Sequence, residues 1–243
     1  MSRHARLAVL VFAWCLLVAV APALAQELRL DWMKRVGSTG YDGVYAIVTG
    51  PSGEIFVGGI FEGSFSVDGV TVTGVSGQDG YLMKLRPDGG VEWGVSFAGP
   101  QNVYATDVAV DDLGRPCVTV VLRGSIDADP GPGTSTLTSA GDGDGALICL
   151  DAAGVLRWAR RIGGGSFDVF DGVAIGPGRE VVLTARIKGT ATFGPEGQTV
   201  LSASSSGLDD IVIVELDESG NLLWHRTFGG GAWDTSFGIA ADA

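Results

Sequence analysis

The segment 156-LRWARRIGGGSFDVFDGVAIGPGREVVLTARIKG-189 leads to 209-DDIVIVELDESG-220, and the phrase then restarts as 221-NLLWHRTFGGG-231. Trp158 and Trp224 stand at the same place in two copies of it. Trp32 and Trp93 stand there in two earlier copies, so the four tryptophans are spaced 61, 65 and 66 residues apart. Self-similarity at this period marks a repeat architecture, in which each repeat buries its apolar surface against its neighbours.

Around each Trp the pattern alternates. Leu30, Val91, Leu156 and Leu222 lie two residues before it, and Val36, Phe97, Ile162 and Phe228 four after it. Period-two alternation reads as a strand. A Gly-rich break follows, at Gly37, Gly99, Gly163–Gly165 and Gly229–Gly231. A second strand centres on Ile47, Val108, Val173 and Ile239. After a polar turn such as 50-GPSG-53, a third strand runs through Ile55–Phe61, Cys117–Leu122 and Val181–Ile187, ending at Gly63, Gly124 and Gly189. Repeat-length differences collect in 69–78, 130–141 and 195–207, as expected of surface loops, which tolerate added residues cheaply. The fourth strand opens with Asp79, Asp144 and Asp210 and closes with Leu85, Leu150 and Leu216. It is apolar on both faces at Ile211–Val214. Turns with Gly89, Gly154 and Gly220 lead back to the next Trp.

Four short strands per repeat, joined by hairpin turns and without helical periodicity after the first residues, predict an all-β protein. The expected form is β-propeller-type repeats of four-stranded antiparallel blades, with about three complete blades in an open or incomplete arc. The blades are expected near 43–97, 104–162 and 169–228, and a further blade starts at 233–243. An open arc leaves apolar faces and unpaired edges, so a longer parent protein, ring closure by self-association through the open edges, and a stable open array are the three expectations.

The first residues read differently. Arg3 and Arg6 precede an apolar run from Leu7 to Ala21, and Ala23-Leu24-Ala25 forms a small-x-small site before Gln26. This is a secretory signal peptide over 1–25, too short and wrongly flanked for a transmembrane helix. The repeat domain is then 26–243, and the protein is expected to be secreted, periplasmic or at the cell surface, without membrane insertion. All 28 acids follow residue 26, whereas two of the 16 basic residues precede it, so residues 26–243 carry a net charge of −14. That charge disfavours nucleic acid and anionic membranes.

Cys117 and Cys149 are the cysteines of this region. Export permits a bridge between them. Against it, Cys117 holds the phase of Phe56 and Val182 while Cys149 holds that of Lys84 and Glu215, which places them on opposite pleats.

The sequence offers little catalytic chemistry. His225 is the lone His after residue 26 and has no nucleophile-elbow context. The Gly-rich runs lack the Lys and helix of a phosphate loop. Asp127, Asp129, Asp142 and Asp144 are calcium candidates, since oxygen ligands at alternate positions of tight loops suit that ion. Calcium is the one cofactor considered, and no other is expected. The competing reading is that these Asp residues hold turns by bonding their own backbone. Nine and ten residues after the Trp come Tyr41-Asp42, Phe167-Asp168 and Trp233-Asp234, with Asn102-Val103 in the second copy. Such aromatic–acid pairs suit glycan or peptide contact, or blade packing beside a turn.

The W-x₃-[aromatic/aliphatic]-G-G-G turn, the Gly-x₉-Gly third strand, the D-x₅-L fourth strand and the D-x-x-G-x-L-x-W link together resemble the bacterial exported β-propeller repeat family labelled SBBP. The likeness runs over nearly all of Leu28–Ala243. It implies an extracytoplasmic, non-enzymatic binding or scaffolding module for a protein or glycan ligand. Two other functions are compatible with the same pattern. One is a fragment of a propeller-based extracytoplasmic enzyme with its site elsewhere, and the other is a calcium-stabilised adhesive surface module.

Overall fold

The computed structural model describes residues 31–195 and 201–242, and the leader expected over 1–25 lies outside them. Among the described residues there are fourteen strands and no helix. β1 (Gly43–Thr49), β2 (Ile55–Val67), β3 (Val70–Leu85) and β4 (Val91–Phe97) form one antiparallel sheet in that order. β5 (Val103–Val110), β6 (Pro116–Leu122), β9 (Asp144–Leu150) and β10 (Leu156–Gly164) follow in the same succession. Between β6 and β9 a separate small hairpin is formed by β7 (Ser125–Asp127) and β8 (Thr136–Thr138). β11 (Val169–Ile175), β12 (Val181–Gly194), β13 (Leu201–Leu216) and β14 (Leu222–Phe228) complete the third set.

The strand positions follow the repeat, but their lengths do not. Gly63 was expected to end the third strand of the first repeat. Instead β2 runs on to Val67 and turns at Asp68-Gly69, both with positive φ (51° and 83°). Two successive left-handed residues make the mirror-image turn whose twist suits a two-residue hairpin. The segment 69–78 is therefore mostly strand. In the third repeat the corresponding extension of β12 lies against β10, pairing Arg161 with Gly194 and Gly164 with Ala191. That contact merges the second and third sets into one curled eight-stranded sheet.

Among the described residues two expected strands are not formed. The segments around Trp32 and Ile239 carry no strand assignment. Each would need a neighbouring strand on its ladder, and β-strands are not stable without one. The 236–239 segment does run beside β11: a Cβ on Gly172 would come within 3.1 Å of Gly238.

The core lies between successive sets of strands. Phe56, Leu82 and Phe97 of the first pack with Val103, Val118 and Ile148 of the second. The opposite face of the second, with Cys117, Leu147, Cys149 and Trp158, packs with Leu183, Val212 and Val214 of the third. β9 is buried on both faces, alternating Ile148 and Leu150 into one core with Leu147 and Cys149 into the other. On β13, Ile211 and Ile213 are half-buried, because no further sheet among the described residues covers that side. At the two ends of the array, Ile47 and Val44 on β1 and Leu223 and Phe228 on β14 are exposed.

Cys117 and Cys149 are disulfide-bonded, which corrects the opposite-pleat reading. They are directly opposed partners on β6 and β9, with Cα atoms 4.1 Å apart. The same register pairs Phe56 with Lys84 and Val182 with Glu215, so these phases face one another across the ladder rather than pointing apart. The charged residues at the Cys149 phase suggested exposure, yet Lys84 is itself buried. Its ammonium reaches the Ala152 carbonyl at 3.2 Å and lies over the Phe56 ring.

Candidate functional site

Three of the four recurring tryptophans make the same contact. The indole Nε1–H of Trp32 donates to the Pro87 carbonyl at 3.1 Å. Trp93 donates to Ala152 at 3.1 Å, and Trp158 donates to Glu218 at 3.0 Å. Each acceptor lies in the turn between the third and fourth strands of the next four-stranded set. The ring rests on the glycine of that turn: a Cβ on Gly89, Gly154 or Gly220 would come within 2.6, 3.2 or 2.7 Å of the indole. These glycines have φ of 81°, 85° and 78°, a conformation that glycine adopts without penalty. Asp151 and Asp217 hold two of the turns, each taking two backbone N–H groups on Oδ1. Trp158 is 9% exposed and Trp224 is 39% exposed. Among the described residues no turn stands over Trp224.

The in-phase acids serve the backbone in the same way. Asp42, Asp168 and Asp234 accept the N–H four residues earlier, from Ser38, Gly164 and Gly230, and so pin the Gly-rich break. The second copy has Val103 at this phase, and there Asp79 accepts the equivalent N–H of Gly99. Asp144 is buried and takes the Ala140 N–H together with the Arg161 guanidinium. Burial dominates its surroundings and raises its pKa, and at Asp168 burial pushes the value up to about 6.

Of the calcium candidates, Asp127 and Asp129 share the β7–β8 loop. Asp127 accepts from the Asp129 and Ser135 backbone N–H groups, and Asp129 from Gly131. Asp142 is exposed and Asp144 begins β9. Among the described residues no three His, Cys, Asp or Glu side chains come together as a metal group, so the four candidates do not converge. Asp127 and Asp129 line one side of a cleft of about 460 Å³ whose other wall includes Thr71, Thr73 and Ser96. His225 lies on β14 opposite Val214.

The aromatic–acid pairs divide. The acids are structural, whereas Phe167 lines a cavity of about 270 Å³ between β5 and β11. Its other walls include Tyr104, Thr106, Phe170, Asp171 and Arg186. The Arg123 guanidinium lies over the Phe167 ring at 5.9 Å. Sequence reasoning missed Asp171 and Arg186. Asp171 Oδ2 accepts from Ser236 Oγ at 2.9 Å, and Oδ1 lies 3.4 Å from Arg186 Nη2. Burial raises the Asp171 pKa against the opposing pull of Arg186. No protein-family model matches the chain, and no curated protein is similar to it.

Among the described residues no helix is long and apolar enough to cross a membrane.

Proposed function

We propose that the chain is an exported, non-enzymatic β-propeller repeat protein of the SBBP type, acting as a binding or scaffolding module at or beyond the cell envelope. In this reading the four-stranded sets at 43–97, 104–162 and 169–228 are blades, and 233–243 begins another. The observation that carries it is the thrice-repeated seat of a Trp on the Asx or Gly turn of the following four-stranded set, with Trp224 offering the same ring to a further repeat. Stacked sheets related by a repeated contact are what a propeller or other closed array uses to bury faces that one sheet leaves open. The in-phase acids Asp42, Asp168 and Asp234 accept backbone N–H groups, which favours a scaffold over a catalyst built from repeated residues. The Cys117–Cys149 bridge favours an oxidising compartment.

The test is to express residues 1–243 with their own leader in a bacterium and to sequence the product. The reading expects protein outside the cytoplasm beginning at Gln26, with the two cysteines oxidised. Retention in the cytoplasm with Met1 or the leader intact overturns it.

A further inference from the structure

A repeat protein separates what its fold needs from what one copy has added, because the fold's residues recur in phase and the additions do not. Three residues before the in-phase glycines Gly63, Gly124 and Gly189 stand Ile60, Val121 and Arg186. Ile60 and Val121 are buried apolar residues. An arginine at this phase is no part of the repeat. Asp171 is equally out of pattern. The first strand of each set has a register break at the same phase, spanning Val44/Ala46, Ala105/Asp107 and Phe170/Gly172. The residue at the break is Tyr45, then Thr106, then Asp171. A bulge re-aims a side chain and is found beside functional sites. Here the bulge recurs and its occupant varies, which is the mark of a position freed for function.

The two departures meet. Asp171 and Arg186 lie together in the 270 Å³ cavity, walled by the Tyr104, Phe167 and Phe170 rings. The Asp171 and Arg186 side chains retain 12% and 27% of their exposure and approach each other at a long 3.4 Å. Their charges cancel, so the pair does not select a net-charged ligand. The pair presents a carboxylate acceptor beside guanidinium donors, which fits two adjacent hydroxyls, one donating to Asp171 Oδ1 and its neighbour accepting from Arg186. The aromatic walls suit the apolar C–H face of a ring. A volume just below the ~300 Å³ lower end of small-molecule sites suits a single ring rather than a long chain.

We propose that this cavity binds a vicinal diol on a saturated sugar ring, one pyranose unit of a glycan, through Asp171 and Arg186. The proposal rests on the binding-module reading and supplies its ligand class.

The test uses ¹⁵N-labelled residues 26–243 titrated with p-nitrophenyl glycosides of glucose, galactose and mannose, followed by amide shifts and by nitrophenolate absorbance. The expected result is saturable shifts centred on Tyr104, Phe167, Asp171 and Arg186 for at least one glycoside. Binding should weaken at least about tenfold in Asp171→Asn and in Arg186→Gln, each of which removes a charge-assisted hydrogen bond. The urea melts of both variants establish that they fold. No saturable shift with any of the three, or equal binding by the folded variants, overturns the diol site while leaving the module reading in place. Saturable binding accompanied by nitrophenolate release that both variants lose upholds the site and overturns the non-enzymatic reading.

Discussion

Gly220→Ala is the sharpest probe of how the repeats interlock. Two costs add at this position. The first is conformational: φ is 78°, and an L-residue there costs roughly 1–2 kcal/mol. The second is steric: the new Cβ would lie 2.7 Å from the Trp158 ring, inside any normal contact. The ring cannot simply withdraw, because its Nε1–H is held by the Glu218 carbonyl and its faces are buried. Forcing such a ring out of place costs typically ~1–3 kcal/mol. The sum is about 2–5 kcal/mol. Gly189 provides the control, since its φ is 72° but a Cβ there would meet nothing within 4 Å. Gly189→Ala should therefore show the conformational cost alone, roughly 1–2 kcal/mol. The assay is urea unfolding followed by circular dichroism, which does not depend on the tryptophan being perturbed. A Trp158→Ala partner completes the cycle, and the two changes should be less than additive, because the clash disappears with the ring. Equal losses for Gly220→Ala and Gly189→Ala, or strict additivity with Trp158→Ala, would refute the seat.

Other expectations follow from the same contacts. Reducing the Cys117–Cys149 bridge, which closes a sequence separation of 32 residues, should lower unfolding free energy by about 3–4 kcal/mol on the chain-entropy account, measured by comparing oxidised and reduced urea midpoints. No change in midpoint would mean the bridge does not form. Asp168 titrates near 6 in the fold against an ordinary 3.8, so its neutral form is the better tolerated one. Its contribution is present in acid and is lost as pH rises through about 6. Moving from pH 7 to pH 5 should therefore stabilise the protein by about 1 kcal/mol through this group. Asp168→Asn should remove that part of the pH dependence, and a stability that falls between pH 7 and pH 5 by the same amount in both proteins would count against it.

Strand order was legible because the repeat supplies three or four independent readings of each position. β9 occupies Asp144–Leu150, as the D-x₅-L phrase predicts, and the Gly89, Gly154 and Gly220 turns fall in phase. What escaped had a physical reason in each case. The β2–β3 hairpin outruns its glycine because Asp68-Gly69 makes a tight turn inside a stretch whose length varies between copies. The disulfide was hidden because Lys84 signals exposure by type, yet lies buried over Phe56 with its ammonium on a neighbouring turn. The roles of the in-phase acids needed the N–H partners, which lie at loop positions where composition carries no direction. Asp171 and Arg186 did leave a trace: Arg186 interrupts an apolar phase held by Ile60 and Val121. The trace lay in how the copies differ, whereas the fold was read from what they share.

Exchange of the indole protons reads out whether successive repeats interlock through a Trp seated on the next turn, with Trp224 the unseated member. In ¹⁵N-labelled residues 26–243, with resonances assigned by single Trp→Phe variants, Trp93 and Trp158 should exchange slowly. Trp32, on the less covered terminal segment, should be intermediate, and Trp224 should exchange as fast as the exposed Trp233. Slow exchange of Trp224 at the rate of Trp158, or fast exchange of Trp93 and Trp158, would contradict the account.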